Sequence, residues 1–550
     1  MPAGRTVRTV NGRMLAQLPA LAAGAALAIV AASPASAAEL GSAGTSARAW
    51  PRAEAVVGYS SPAALRGALA LYPAEVVSRT PALHVALVRP PGSVAGFATN
   101  VLRLPGIAFV QRLAARNDES EPALALTGGR TIPWEWQYAA TREDTVPDWV
   151  LRAASAITIA VVDTGADLTA PDLAAKEPLA YNERTGTNDV RDLVGHGTFV
   201  AALAAGSATN GEGIAGFGGD ARLIVIKAGP GDGSFSDVDE SNAIVYAVDH
   251  GARIINLSLG GPATSTTERK AIDYATSHGA LVVAAAGNEY QDGNPIEYPA
   301  ALLQPVGSKG VGGLGLAVGA STVGGSRAIF SNTGSYVSLV APGDNVFSAL
   351  SSESSANRFA RVTLPDSLSG LYGFASGTSF SSPEVAGAAA LVWAANPLLD
   401  AGAVSELLKE SASSSGTWSP DLGWGLLDVS AAVARATGER PSAARALLTL
   451  NAQLQRRHSV HRPRDATFSA TLHSAAPGVP PAARTVTLEV LAGVSANAQW
   501  KARAEAATTA DGQVVWKLTL KPGTYRVRAR WAGSSDLAGA LSQTLVLRVT

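Results

Sequence analysis

Four apolar runs dominate what this chain can fold into. "AITIAVVD" (Ala156–Asp163), "RLIVIKA" (Arg222–Ala228), "ARIINLSL" (Ala252–Leu259) and "ALVVAAAGN" (Ala280–Asn288) are near-continuously apolar over strand length. Strands that read this way are buried on both faces, as in parallel sheets. Helix-length segments lie between them, such as "SDVDESNAIVYAVDHG" and "TERKAIDYATSHG", each closed by a glycine after a histidine. This alternation, from about Ile132 to Ala436, predicts an α/β domain with helices on both faces of a mostly parallel sheet.

The chain has 550 residues, too many for one core, so further domains flank that one. On the N-terminal side, "EAVVGY", "PAALRGALA", "EVVSR", "HVALVR", "SVAGFATNVLRL" and "IAFVQRL" give a βαββαβ order, a small α+β domain over residues 50–116. Residues 117–131, polar and Gly-containing, read as an exposed linker open to proteolysis. After "TGERPSAA" the pattern changes to period-2 strands, which predicts an all-β sandwich over residues 446–550. In "TYRVRARW" one face carries Tyr525, Val527, Ala529 and Trp531, and the other Arg526, Arg528 and Arg530. That arginine row reads as a solvated outer face, or as contact with an anionic surface such as a cell-wall polymer.

At the N-terminus, Arg5, Arg8 and Arg13 precede an apolar run from Met14 to Ala32, followed by "SPASAAE". Ala35-Ser36-Ala37 is a small-x-small cleavage site, so residues 1–37 read as a secretory signal peptide. The alternative is an uncleaved anchor; Pro19, Gly24 and the cleavage site favour removal. The expected location is therefore outside the cell. With no cysteine there are no disulfides, and stability must come from core size and bound ions.

Net charge is −1, but it is unevenly spread. Residues 1–130 carry 12 Lys+Arg against 6 Asp+Glu, residues 131–437 carry 16 against 32, and residues 438–550 carry 15 against 6. A basic N-terminal segment docking on an acidic middle fits this distribution, as do three separately solvated surfaces. The basic residues are not interleaved with a stacking platform, which argues against nucleic-acid binding.

The run "AVVDTGADL" (Ala160–Leu168) ends in Asp163. One Asp-Thr-Gly loop is half of an aspartic protease site, but that chemistry needs two, and this sequence has one. A turn aspartate, or one that orients a histidine, remains. It ends a parallel strand, where open α/β sheets place their sites. "LVGHGTFVAALAAG" supplies His196, glycine-flanked and just before a helical run. "ASGTSFSSPEVAGAAALVWAANP" supplies Ser379 near the start of a long helix, with Pro383 expected in its first turn. A serine there is ordinarily an N-cap, yet the position also aims N–H groups at whatever the hydroxyl attacks. "VVAAAGNE" places Asn288 after another strand end, a turn residue or a donor to a developing oxyanion.

Taken together, "VVDTGAD", "GHGTFVA", "NLSLGG", "AAAGNE" and "GTSFSSPEVAGAAALV", in the chain order Asp, His, Ser, resemble the subtilisin-like serine proteases over residues 132–437. The resemblance implies Ser379 as nucleophile, His196 as general base and Asp163 as the carboxylate that orients it. It implies Asn288 and the Ser379 N–H as the oxyanion site. Ser258-Leu259-Gly260 and Gly233 would form two walls that pair with an extended protein or peptide substrate. Residues 50–116 resemble the family's inhibitory prodomain, which implies a self-processing zymogen cut within 111–131. The C-terminal module resembles immunoglobulin-like appendages. No cofactor is implied for the chemistry; a structural calcium is implied at Asp172 of "PDL", although "SATNGEGIAG" matches the rest of that site less clearly. Phe199 and Ala202 stand where the family commonly has His and Gly. A catalytically silent scaffold serving adhesion is the rival expectation.

Overall fold

The computed structural model describes residues 54–118, 135–210, 213–354, 359–362, 370–413, 416–438, 446–454, 464–474, 482–492, 500–533, 538–542 and 545–549. The predicted signal peptide, and the predicted linker beyond Asp118, lie outside the described residues.

Seven parallel strands form the central sheet, in the order Leu339–Pro342, Gly315–Ser321, Leu281–Ala285, Ile254–Leu257, Thr158–Asp163, Arg222–Lys227 and Leu179–Asn182. The apolar runs are continuous because both faces are covered. Ile159, Val161, Leu223, Val225, Leu281 and Val283 enter one core, while Ala160, Val162, Ile224, Ile226, Val282 and Ala284 enter the other. The helix Thr378–Ala395 runs through the first core and is buried almost along its whole length. Its small, all-round apolar side chains suit a helix with no solvent face. Helices Asp237–Asp249 and Thr266–Ser277 cover the opposite face.

The small N-terminal domain is an antiparallel sheet whose strands run in the order Glu75–Thr80, Val85–Arg89, Ala55–Tyr59, Ile107–Gln111, with helices Pro62–Leu71 and Val94–Val101. One sheet face keeps its own core, including Val57, Leu65 and Val88. The other contributes Val56, Val85 and Leu87, and the turn Pro81–Leu83 contributes Leu83, to the core beneath the two surface helices. Lys270 Nζ donates to the Leu83 carbonyl at 2.9 Å and lies 5.5 Å from the centre of the Phe109 ring. Gln111 Nε2 donates to Thr267 Oγ1 at 3.2 Å and to Asp237 Oδ2 at 3.3 Å.

At the C-terminal end, two antiparallel sheets share one core built on Leu448, Phe468, Leu488, Trp516, Val527 and Trp531. Val527, Ala529 and Trp531 face that core, while Arg526 and Arg530 are exposed. Arg528 donates from Nε to Glu489 at 2.7 Å and lies 4.1 Å from the centre of the Trp500 ring. Among the described residues, no helix is long and apolar enough to cross a membrane.

The α/β domain buries several carboxyl groups close to other carboxyls. Burial pushes Glu143, Glu183 and Glu297 each to about 8, helped by Asp144, Asp239 and Glu289 respectively. Burial, with Glu143 adding, also pushes Glu384 of the long helix well up, and both its oxygens lack partners among the described residues. A carboxyl raised in the folded state stabilises most below its unfolded value, and that stability is lost as pH rises through the folded one. Stability of the Ser379→Ala protein should therefore fall by several kcal/mol between pH 5 and pH 9. Urea midpoints at the two pH values measure this, and a midpoint that rises with pH contradicts it.

Candidate active site

Asp163 ends a strand near the middle of the sheet, and Ser258 and Asn288 follow the ends of two further strands at the same carboxyl edge. Open α/β sheets form crevices there. His196 opens the helix His196–Ala205, and its Nδ1 lies 2.7 Å from Asp163 Oδ1 with both side chains buried. The Thr164 N–H donates to the same carboxylate oxygen at 2.7 Å. Burial pushes the Asp163 carboxyl up from its ordinary value; the charge and hydrogen bond of His196 and the Thr164 N–H oppose that rise.

Glycines let the two segments meet. A Cβ at Gly197 would sit 2.1 Å from the Gly165 carbonyl oxygen and 3.0 Å from Asp163 Oδ1. At Gly165, whose φ is 113°, it would sit 2.1 Å from the Val190 carbonyl oxygen. Asp192, passed over in the sequence reading, fixes the histidine helix. Its Oδ1 accepts from the Gly195 N–H at 2.8 Å and from Thr164 Oγ1 at 2.8 Å. Its Oδ2 accepts from the Thr198 N–H at 2.8 Å and from Thr198 Oγ1 at 2.6 Å. An acidic residue just ahead of the helix in "RDLVGHGT" was the available signal.

The serine-bearing helix begins at Thr378 after Gly377, so Ser379 is its second residue and caps nothing. Pro383 consequently falls in the second turn rather than the first. Lacking an N–H, it cannot take the Ser379 carbonyl in the helical ladder. That carbonyl instead accepts from Ser258 Oγ at 2.7 Å, and Ser258 Oγ in turn accepts from Asn256 Nδ2 at 2.9 Å. Ser379 Oγ reaches the Ser258 carbonyl at 3.5 Å, and the neighbouring Phe380 ring centre lies 5.7 Å from that of His196.

Asn288 is tied to the residue before Ser379. Its Oδ1 accepts from the Thr378 N–H at 2.8 Å and from Thr378 Oγ1 at 3.0 Å. This orientation commits the oxygen and leaves Nδ2, a buried donor, with no partner among the described residues. Such a donor costs about 1–3 kcal/mol of stability, so one kept in a native fold calls for a role. Asn288→Ala is expected to lower kcat by ~10²–10³ with KM little changed. Steady-state kinetics on a peptide amide would check this; an unchanged kcat would rule out the donor role.

Leu259–Gly260 is a short strand, and an extended segment of the chain's own, Ala115–Asp118, lies along it. Pairing is antiparallel, Asp118 opposite Leu259 and Asn117 opposite Gly260. The other edge of this tail strand pairs with Ser234–Ser236, Arg116 opposite Phe235. The second wall is thus Ser234–Ser236, and Gly233, at φ 85°, is the turn residue leading into it. Asn117 and Asp118, expected in a linker, are strand residues, because two walls supply their backbone partners.

Asp172 is buried, and its carboxylate is taken up by protein donors: Asn210 Nδ2 at 3.0 Å, the Ile214 N–H at 3.1 Å and Tyr372 Oη at 2.7 Å. Calcium requires six to eight oxygen ligands. Among the described residues no group of three or more acidic or histidine side chains is arranged to hold a metal. Among the described residues the Asp172 carboxylate therefore has at least three partners from the chain itself, and the Glu135 carboxyl is raised to about 7 by burial, with Asp172 adding to the rise.

Residues 154–425 match the model of the subtilase family. The chain is 36% identical over 301 residues to the thermophilic serine proteinase of Bacillus sp. strain AK1, covering 53% of this chain and 68% of that one. Over 286 residues it is 34% identical to the subtilisin of Bacillus pumilus, covering 50% of this chain and 91% of that one. In fold it is similar to fervidolysin from Fervidobacterium pennivorans, with a TM-score of 0.59 and 20% identity over 87% of this chain and 86% of that one. The class is therefore serine endopeptidase. The chain belongs to the subtilase family.

Proposed function

We propose that the protein is a secreted, self-processing endopeptidase that cuts peptide bonds through an acyl-enzyme on Ser379. His196 takes the hydroxyl proton and returns it to the leaving amine. Asp163, hydrogen-bonded at Nδ1, holds the imidazole in the tautomer that leaves Nε2 as the base. The oxyanion is received by the Asn288 Nδ2 and the Ser379 N–H at the helix N-terminus. Residues 50–116 act as the inhibitory prodomain, and a bond soon after Asp118, within 111–131, is cut to release it.

The observation that carries this reading is the tail strand held between two walls. A substrate would bind as the same added strand, with main-chain hydrogen bonds supplying affinity. The Asp118 end of the strand pairs with Leu259, next to Ser258, whose carbonyl lies within reach of Ser379 Oγ. The basic N-terminal portion and acidic middle of the sequence favour such docking. The C-terminal sandwich, read as an immunoglobulin-like appendage, presents Arg526 and Arg530 exposed, although Arg528 and Arg530 also reach Glu489, and this face would meet an anionic cell-surface polymer. A fluorophosphonate probe tests the reading: one adduct is expected, on Ser379, and none in His196→Ala. Labelling elsewhere, or labelling that survives the histidine change, would count against it.

A further inference from the structure

Arg116 is a fully buried arginine whose partners belong to the peptidase domain. Its Nε donates to Glu240 Oε2 at 3.2 Å and to Glu268 Oε1 at 3.2 Å, and Nη2 donates to Glu268 Oε1 at 2.5 Å. Both glutamates are wholly buried and sit in the first turns of separate helices, Asp237–Asp249 and Thr266–Ser277. Gly261 leaves room for the stem: a Cβ there would lie 2.8 Å from the Ala115 carbonyl oxygen and 3.3 Å from Arg116 Nη1. The pocket opens on the channel between the two walls, at the position of the strand occupied by Arg116.

We infer that Glu240 and Glu268 form a specificity pocket that selects substrates with an arginine two residues ahead of the one paired with Leu259. This deepens the protease reading and rests on it. Once the prodomain leaves, both carboxylates stay in the domain without their cation, and among the described residues Glu240 Oε1 has no partner even while Arg116 is present. Burial pushes Glu240 well up, Glu268 beside it adds to the rise, and Arg116 draws it down. An apolar side chain in this pocket would leave two buried acids facing each other. Sites built to hydrogen-bond a group reject analogues that lack it far more strongly than apolar pockets reject a wrong shape. Lysine would fare worse than arginine, because a single ammonium cannot span two glutamates as a planar fork does.

The test uses the processed enzyme and quenched fluorogenic peptides copying residues 113–124, with Arg, Lys or Leu at the position of Arg116. The Arg peptide is expected to exceed the Leu peptide ~100-fold or more in kcat/KM, and the Lys peptide ~10-fold. In Glu240→Leu the Arg-to-Leu ratio should fall at least ~10-fold, and since it is a ratio it does not depend on how much enzyme folds. Arg and Leu peptides cut within threefold of each other by the unaltered enzyme would overturn the pocket and leave the protease standing. So would failure to cut any of the three by an enzyme that hydrolyses casein. Loss of casein hydrolysis together with loss of the Ser379 adduct would bring down the protease reading itself, and the pocket with it.

Discussion

Replacing Ser379 by alanine is expected to lower kcat on casein by ~10⁶ while leaving the thermal unfolding transition within a few degrees of the unaltered protein. The change removes one oxygen whose contact to the protein is a 3.5 Å approach to the Ser258 carbonyl. The helix beneath it keeps its other anchors, because the Ser379 carbonyl still accepts from Ser258 Oγ and Asn288 still grips Thr378. Fold and oxyanion donors therefore survive, and a residual rate above that of water should remain. Turnover by the alanine protein within tenfold of the unaltered one would remove Ser379 from the mechanism.

The second large effect is expected at Asp163. Asp163→Asn keeps the size of the side chain and its place at the strand end, yet replaces an acceptor by an amide beside His196 Nδ1. If the amide presents its N–H₂, the ring must turn its lone pair to Nδ1 and carry the proton on Nε2, where it cannot serve as base. A loss of roughly 10⁴ in kcat is expected, with KM and stability little altered. Burying the carboxylate is costly, and the raised Asp163 value records that cost. Removing its charge should thus not destabilise the fold, a result that a merely structural aspartate would not give. A kcat reduced less than tenfold would sink the orienting role.

How much was legible beforehand depended on how local each signal is. The sheet could be read because strands covered on both faces have no polar alternation, so Ile159 and Ala160 are both apolar although they enter different cores. Asp163 and His196 could be read because their neighbours are glycines at which a Cβ would collide with backbone. The starting point of the serine helix was less legible: Gly377 is extended and the helix opens at once, which moved Pro383 into its second turn. Gly233 was singled out where the pairing strand begins one residue later, since register depends on the tail strand that fills the channel. Glu240 and Glu268 gave no signal. Each looks like an ordinary charge in the first turn of a helix, and only the approach of two helices around Arg116 joins them.

In the proposed mechanism one chain carries both the nucleophile and the peptide that first occupies its cleft. The most direct measurement follows the size of the full chain, unaltered and Ser379→Ala, made side by side in a host lacking other secreted proteases. The unaltered chain is expected to shorten by a cut soon after Asp118, within residues 111–131, as N-terminal sequencing would locate, while Ser379→Ala stays at full length apart from signal removal. Equal shortening of both, or a persistently full-length unaltered chain that nonetheless hydrolyses casein, would contradict it.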